Sequence, residues 1–327
     1  MKKKRNNHII RMIIFVILCV ILSCCLSWVT MPPNVIWLNL HELKEDGPYD
    51  YLFVGTSHGQ YGISPQVVDQ VTGRNSFNLC MANEYPVDTY YLIKEVCRQQ
   101  KPKKIIYELD PSYWITDQNM GTVAGMFYKE MPWSMNKLQY LGDKIIKLDY
   151  RQTIFPWSYY KNLLPQVPQT IRKKLSAEYR QYDPAVLDIP GGHYGGDGFI
   201  YQDKVEGAEK GTFNNVPWNE EQLRPEAKEY FEKILYYCKK ENIELEVITL
   251  PVPAETYANT PESYQQSDRY FTELMQQYRI PYHNFIFDSA LAFDRSMDNY
   301  WDYDGHMYGD AAEQFSLELG NYLKEND

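Results

Sequence analysis

The chain has 327 residues, with 33 Lys and Arg against 43 Asp and Glu and a formal net charge of −10, enough chain for one large domain or two modest ones. Lys2, Lys3, Lys4, Arg5 and Arg11 are the only formal charges among residues 1–33, so setting these five positive charges aside takes the remainder from −10 to −15. That balance argues against binding nucleic acid or another polyanion by bulk charge. Three cysteines near the start (Cys19, Cys24, Cys25) and three beyond (Cys80, Cys97, Cys238) make no disulfide framework, and no Cys/His spacing suggests a metal.

Residues 1–11 form a basic flank, and residues 12–29 an apolar run close to the ~20 residues needed to cross a bilayer core. The basic flank should stay cytoplasmic, which makes this a single-pass cell-membrane anchor with everything after it outside. Processing is the alternative. The positions after the run (Trp28-Val29-Thr30-Met31-Pro32-Pro33) offer no clean small-x-small site, and Ile21-Leu22-Ser23-Cys24 only faintly resembles a lipoprotein cleavage box. Residues 30–48 read as a Pro-containing tether, and 49–327 as the extracytoplasmic domain.

Within that domain the pattern predicts strands at 50–55, 76–80, 103–109, 244–250 and 282–287. Helices are expected at 64–71, 86–100, 219–241, 263–278 and 308–324, the first begun by Ser64-Pro65. From about 112 to 215 the regularity loosens into an aromatic-rich insertion of short helices (Trp114, Phe127, Tyr128, Trp133, Tyr140, Phe155, Trp157). The glycine-rich stretch Gly191–Gly198, which holds His193, is expected to be a flexible loop. It lacks the strand-turn-helix context of a phosphate cradle, so no nucleotide and no other cofactor is expected. Alternating strands and helices imply an α/β fold: three α/β/α layers around a parallel, flavodoxin-like sheet, preceded by one transmembrane helix. Ligands in such sheets bind outside the strand C-termini, where Ser57, Asp110 and Pro251 would lie.

Two short motifs carry chemistry. Tyr51-Leu52-Phe53-Val54 breaks into Gly55-Thr56-Ser57-His58-Gly59, and Trp301-Asp302-Tyr303-Asp304-Gly305-His306 lies near the other end. A serine exposed after a buried strand becomes a nucleophile only if a base takes its proton and donors stabilise the oxyanion. Ser57 is the candidate nucleophile and His306 the candidate base, with a carboxylate needed to hold the imidazole in the correct tautomer.

Gly-x-Ser after the first strand, Asn78-Leu79 after the second and Asp-x-His before the last helix resemble the SGNH, or GDSL-like, hydrolase superfamily. The anchor and the aromatic insertion resemble its cell-envelope branch, which includes the D-alanyl-lipoteichoic-acid transfer protein and the alginate O-acetyltransferases. The superfamily's commonest spacing would put the aspartate at position 303, which is Tyr303 here. The Asp-x-His spacing of the alginate-acetylating relatives favours Asp304, with Asp302 as the alternative. Cys80 stands where a glycine usually supplies an oxyanion N–H, and Glu108-Leu109-Asp110-Pro111 replaces the usual Gly-x-Asn-Asp, which leaves Asn83 as a candidate side-chain donor. His58 is either a site-lining donor or a packed ring.

The resemblance implies a membrane-anchored serine esterase or O-acyltransferase, of acetyl or D-alanyl type, acting on a cell-envelope glycan or teichoic-acid-like polymer. It also implies an acyl-donating partner such as a multi-pass membrane acyltransferase. The negative domain favours a neutral or cationic acceptor over a phosphate-rich one. The altered glycine and asparagine blocks keep a second reading open, that of a non-catalytic envelope scaffold or carbohydrate-binding protein.

Overall fold

The computed structural model describes the backbone of residues 2–119, 122–148, 150–151, 155–213 and 216–327; the side chains of 2–7, 122–123, 156 and 159 also lie outside the described set. The basic flank Lys2–Arg5 is therefore described by backbone alone, and the parts of the expected insertion at 120–121, 149, 152–154 and 214–215 are outside the description. The chain divides into two compact units. One comprises residues 1–34 and 141–188, the other 35–140 and 189–327.

The first unit holds α1 (Lys2–Thr30). Its segment His8–Thr30, 23 residues, is long and apolar enough to cross a membrane. Side chains from Ile9 to Leu22 are exposed, whereas Ser27, Thr30 and Met31 are buried. Short helices at Pro156–Tyr159, Tyr160–Gln166 and Val167–Leu175 pack against α1.

The second unit is built on a parallel five-stranded sheet in the order β2-β1-β3-β6-β7, with β1 Tyr51–Val54, β2 Ser76–Asn78, β3 Lys104–Glu108, β6 Glu244–Thr249 and β7 Tyr282–Asn284. Leu52-Phe53-Val54, Ile105-Ile106-Tyr107 and Val247-Ile248 are unbroken apolar runs with every side chain buried, the pattern of parallel strands rather than of a half-wet antiparallel sheet. Register is set by Tyr51↔Ser76 and Tyr51↔Lys104 on the two sides of β1, and by Lys104↔Glu244 and Val247↔Tyr282 further out. The chain runs from β1 to β2 on one side and returns to β3 on the other, so the C-terminal ends of β1 and β3 flank the point where the winding direction reverses.

Helices α2 (Val35–Glu45), α3 (Ser57–Gly62), α4 (Pro65–Thr72), α5 (Pro86–Val96), α6 (Pro225–Glu241), α7 (Pro261–Tyr278) and α8 (Gly309–Glu325) complete the unit's main elements. α8 buries Ala311, Ala312, Phe315, Leu319 and Leu323 on one stripe, in a cluster with Tyr51, Phe53, Ile63 and Val68, as the 3–4 spacing of its apolar residues requires. It packs on α4 so closely that a Cβ at Gly320 would lie 2.9 Å from Val71 Cβ.

Two expectations from sequence are corrected. Residues 35–45, expected within a tether, form α2, because Ile36, Leu38 and Leu43 bury one face of it. The glycine-rich stretch, expected as a flexible loop, is an antiparallel hairpin of β4 (Gly192–Gly196) and β5 (Phe199–Gln202). Asp197 and Gly198 between them have φ of 50° and 85°, the two positive values that a type I′ hairpin turn demands. The hairpin docks on β2, with Asn78 N–H donating to the Asp197 carbonyl at 2.8 Å, and His193 stacks on Tyr201.

Candidate active site

Ser57 opens α3 directly after β1. Gly55 makes the transition possible: its φ is +146°, and a Cβ there would sit 2.4 Å from the Glu108 carbonyl oxygen, a combination only glycine tolerates. Thr56 caps the helix, its Oγ1 accepting from His58 N–H at 3.3 Å. Glu108 at the end of β3 fixes the turn in place. Its Oε2 accepts from Thr56 N–H at 2.7 Å and from Thr56 Oγ1 at 2.9 Å. Burial pushes the Glu108 carboxyl above its usual range, although the charge of nearby His58 pulls the other way.

The partner side chains come from the loop between Tyr300 and Met307, which pair as an isolated antiparallel bridge. Asp302 closes this loop on itself: its Oδ1 accepts from the backbone N–H of Gly305 and of His306, both at 3.1 Å. Gly305, at φ +111°, supplies the bend. The imidazole of His306 is then held by Asp302 Oδ2, 2.6 Å from Nδ1, and reaches Ser57 Oγ through Nε2 at 2.7 Å. Trp301 stacks on the His306 ring at 5.0 Å between centroids, and Tyr61 meets it edge-on at 5.6 Å. Burial raises Asp302, but the hydrogen bond and charge of His306 outweigh it and hold the carboxyl below its ordinary range. A carboxylate that stays ionised while accepting from Nδ1–H leaves Nε2 as the imidazole's basic nitrogen.

Of the residues singled out from sequence, Ser57, His306 and Asp302 are brought together. Asp304, favoured by the Asp-x-His spacing, makes no hydrogen bond to His306. In a turn closed by a carboxylate onto the amides three and four residues later, the carboxylate at the start faces the ring and the position two before the histidine lies at the exposed tip. Partial burial, then the Asp302 charge, push Asp304 above the usual carboxylate range. Cys80 is also not positioned as expected. Its N–H is committed to Asn78 Oδ1 at 3.1 Å, while Asn78 Nδ2 donates to the carbonyls of Gly59 and Ile63, both at 2.8 Å. Asn83 is an exposed turn residue with φ +58° and does not line the cavity. The Ser57 N–H, at the first position of α3, has no partner within the described backbone hydrogen bonds, as is ordinary for a helix's first amides.

A cavity of about 220 Å³ opens beside Ser57 and His306. Its polar end holds His58, Asp110 and Asp304; its other walls include Ile115, Trp218, Val252 and Ile286. Three hydroxyls in the wall bond within the fold: Ser263 Oγ accepts from Trp218 N–H at 2.6 Å, Thr249 Oγ1 donates to the Leu109 carbonyl at 3.0 Å and Ser267 Oγ donates to the Tyr264 carbonyl at 2.9 Å. His58 lies with Nδ1 3.7 Å from Asp110 Oδ2 and its ring centroid 5.2 Å from that of His306. Burial opposes its protonation, yet Asp110 and Glu108, with Asp302 and Asp304, together leave it more easily protonated than a free histidine.

Two functional candidates escaped the sequence. Glu108 was visible only as a departure from the resembled Gly-x-Asn-Asp block, and Asp110 only as a residue at a strand end; nothing local marks either as a partner of Thr56 or His58. Among the described residues no His/Cys/Asp/Glu group is arranged to hold a metal ion. No protein-family model matches the chain, and a search of curated proteins finds no significant match.

Proposed function

We propose that this chain is a membrane-anchored, extracytoplasmic serine esterase or O-acyltransferase of the SGNH kind, transferring an acetyl- or D-alanyl-type acyl group on a cell-envelope polysaccharide or teichoic-acid-like polymer. The observation that carries the reading is the unbroken relay from Ser57 Oγ to His306 Nε2 and from His306 Nδ1 to Asp302, joining residues 249 positions apart. The sheet order, which reads 2-1-3-4-5 when only its own strands are numbered, is the order of flavodoxin-like doubly wound sheets and supports a three-layer arrangement with the site at the switch point.

The chemistry follows from the relay. His306 Nε2 takes the Ser57 hydroxyl proton as Oγ attacks the acyl carbonyl, and returns it to the leaving oxygen as the acyl-serine forms. Water or a sugar hydroxyl then gives its proton to the same nitrogen and attacks the acyl-serine, restoring Ser57. Asp302 keeps Nδ1–H in place and stabilises the imidazolium. Ser57 N–H is one donor for the oxyanion, and protonatable His58 is the side-chain candidate for a second. A multi-pass membrane acyltransferase is the proposed acyl donor, on resemblance alone.

The cavity and the anchor bear on substrate and location. A cavity of about 220 Å³, with one polar end and apolar side chains elsewhere in its wall, has room for a short acyl group. The apolar run at 12–29, preceded by five basic residues, favours insertion with the second unit outside, which protease added to intact protoplasts tests: the second unit should be digested, and its protection would require a cytoplasmic function.

One observation favours the scaffold reading. The N–H groups of Cys80 and Met81, where an oxyanion donor is expected, are both spent, on Asn78 Oδ1 and on Glu84 Oε2 with the Gly55 carbonyl. A fluorophosphonate probe with chromogenic short-chain acyl esters decides between them. Ser57-dependent labelling and turnover support catalysis; neither, in a folded protein, leaves the scaffold.

A further inference from the structure

The span from 150 to 177 differs from everything around it. It carries five basic residues (Arg151, Lys161, Arg172, Lys173, Lys174) and no acidic one, in a chain whose net charge is −10. It is also rich in large apolar side chains, and Phe155, Trp157, Leu164 and Leu175 are exposed, at 39%, 36%, 55% and 63%. Apolar side chains left in water on a segment whose only charges are basic, between Asp149 and Glu178, are poorly placed for a soluble domain and well placed for a bilayer surface.

Its position along α1 makes the same point independently. Trp157 Nε1 donates to Ser23 Oγ at 3.2 Å, while Lys174 Nζ donates to the Trp28 carbonyl at 2.8 Å and lies 5.4 Å from the Trp28 ring centroid. Ser23 and Trp28 are five residues apart, about 7.5 Å along a helix, and they occupy the last turns of the apolar segment that ends at Thr30. The segment therefore grips the helix at the level where hydrocarbon gives way to headgroups, the depth at which tryptophan and basic side chains concentrate. Lys173 is not part of the argument, since it is paired with Asp188 at 2.6 Å and with the Val186 carbonyl at 2.9 Å.

We propose that residues 155–175 lie in the outer membrane–water interface as an amphipathic collar on α1, with Phe155, Trp157, Leu164 and Leu175 among the acyl chains and Lys161 and Arg172 against anionic lipid headgroups. The collar makes the anchor a two-part device: a spanning helix sets topology, and a surface-lying segment fixes how the first unit is seated in the leaflet. This rests on the anchoring part of the proposed function and is independent of the acyl chemistry.

The test uses the full chain with Cys19, Cys24, Cys25 and Cys97 replaced by alanine, and Leu164→Cys or Leu175→Cys carrying a polarity-sensitive fluorophore. Both positions are exposed, so neither substitution disturbs a core. The protein is reconstituted in protein-free vesicles of phosphatidylcholine with phosphatidylglycerol. Expected are a blue-shifted emission, strong quenching by brominated lipids and roughly threefold protection from aqueous iodide relative to the same label in the urea-unfolded chain. Lys161→Gln with Arg172→Gln should weaken the bromolipid quenching in anionic vesicles and change it little in purely zwitterionic ones. A protein that floats with the vesicles while both labels stay open to iodide and untouched by bromolipid overturns the collar and leaves the anchor standing. Failure to float overturns both. Shielding seen only in native membranes, and not in protein-free vesicles, overturns the lipid assignment in favour of a protein partner.

Discussion

Two histidines face the same cavity 5.2 Å apart, each beside an aspartate, and they are not equivalent. His306 is held by Asp302 at 2.6 Å and reaches a hydroxyl with its other nitrogen at 2.7 Å. His58 stands 3.7 Å from Asp110, beyond a hydrogen bond, and is drawn toward its charged form by four surrounding carboxylates. The first pair aims one basic nitrogen at one hydroxyl; the second sits at the cavity's polar end, its imidazole more easily protonated than a free histidine's. A His–Asp pair becomes a general base through what its remaining nitrogen touches, and only the loop of Asp302–His306 provides that contact.

The largest expected effect separates the pairs outright. Ser57→Ala and His306→Ala should each lower ester turnover by orders of magnitude, approaching the ~10⁶-fold of comparable serine enzymes, with the double variant little worse. Additive losses would mean that the two do not act together. His58→Asn should cost about 10²-fold, in the range seen when one oxyanion donor is removed. A loss as deep as that of His306 would erase the distinction drawn above. Glu108→Gln, which keeps one acceptor for Thr56, should lower kcat about tenfold by loosening the turn that presents Ser57 while leaving KM nearly unchanged. An unchanged kcat would remove Glu108 from the positioning of Ser57.

The smallest effect lies away from the cavity, at a carboxylate the fold holds unfavourably. Burial raises Glu42 to about 7, although its hydrogen bond with Tyr194 pulls the value down. The native state therefore binds more protons than the unfolded chain between about pH 4.5 and 7, and stability should fall as pH rises through that window. In urea unfolding, Glu42→Gln should reduce the fall in stability across this window by about 1 kcal/mol, discounted for Glu42's partial exposure, leaving the part that belongs to Asp69, raised to about 6. An equal slope in both proteins would assign the effect to other groups.

What could be read from sequence divides along the range of the interactions involved. The three central sheet strands were legible because Leu52-Phe53-Val54, Ile105-Ile106-Tyr107 and Val247-Ile248 are continuous apolar runs, and such runs specify buried strands with little help from context. Helix α4 was legible from Ser64-Pro65 at its start, and Gly73 ends it at φ +70°. The hairpin at 192–202 was also written locally, in Asp197-Gly198, but the surrounding glycines masked the turn signal. Which aspartate meets His306 was not legible. Spacing along the chain put Asp304 first, while the choice depends on Asp302 accepting two backbone amides and turning the loop so that a residue four positions back faces the ring. Glu108 was illegible for the same reason, since its partner Thr56 is 52 residues away.

The central claim, that Ser57, His306 and Asp302 form one working unit, is tested most directly by the rate at which a fluorophosphonate labels Ser57 in Asp302→Asn and Asp304→Asn at matched stability. Asp302→Asn is expected to slow labelling by about 10³- to 10⁴-fold, the scale on which a serine triad suffers when its carboxylate is neutralised, with Asp304→Asn costing about tenfold at most, since Asp304 lines the cavity and bears on His58 by charge without a hydrogen bond to His306. Slow labelling of Asp304→Asn with normal labelling of Asp302→Asn would contradict it.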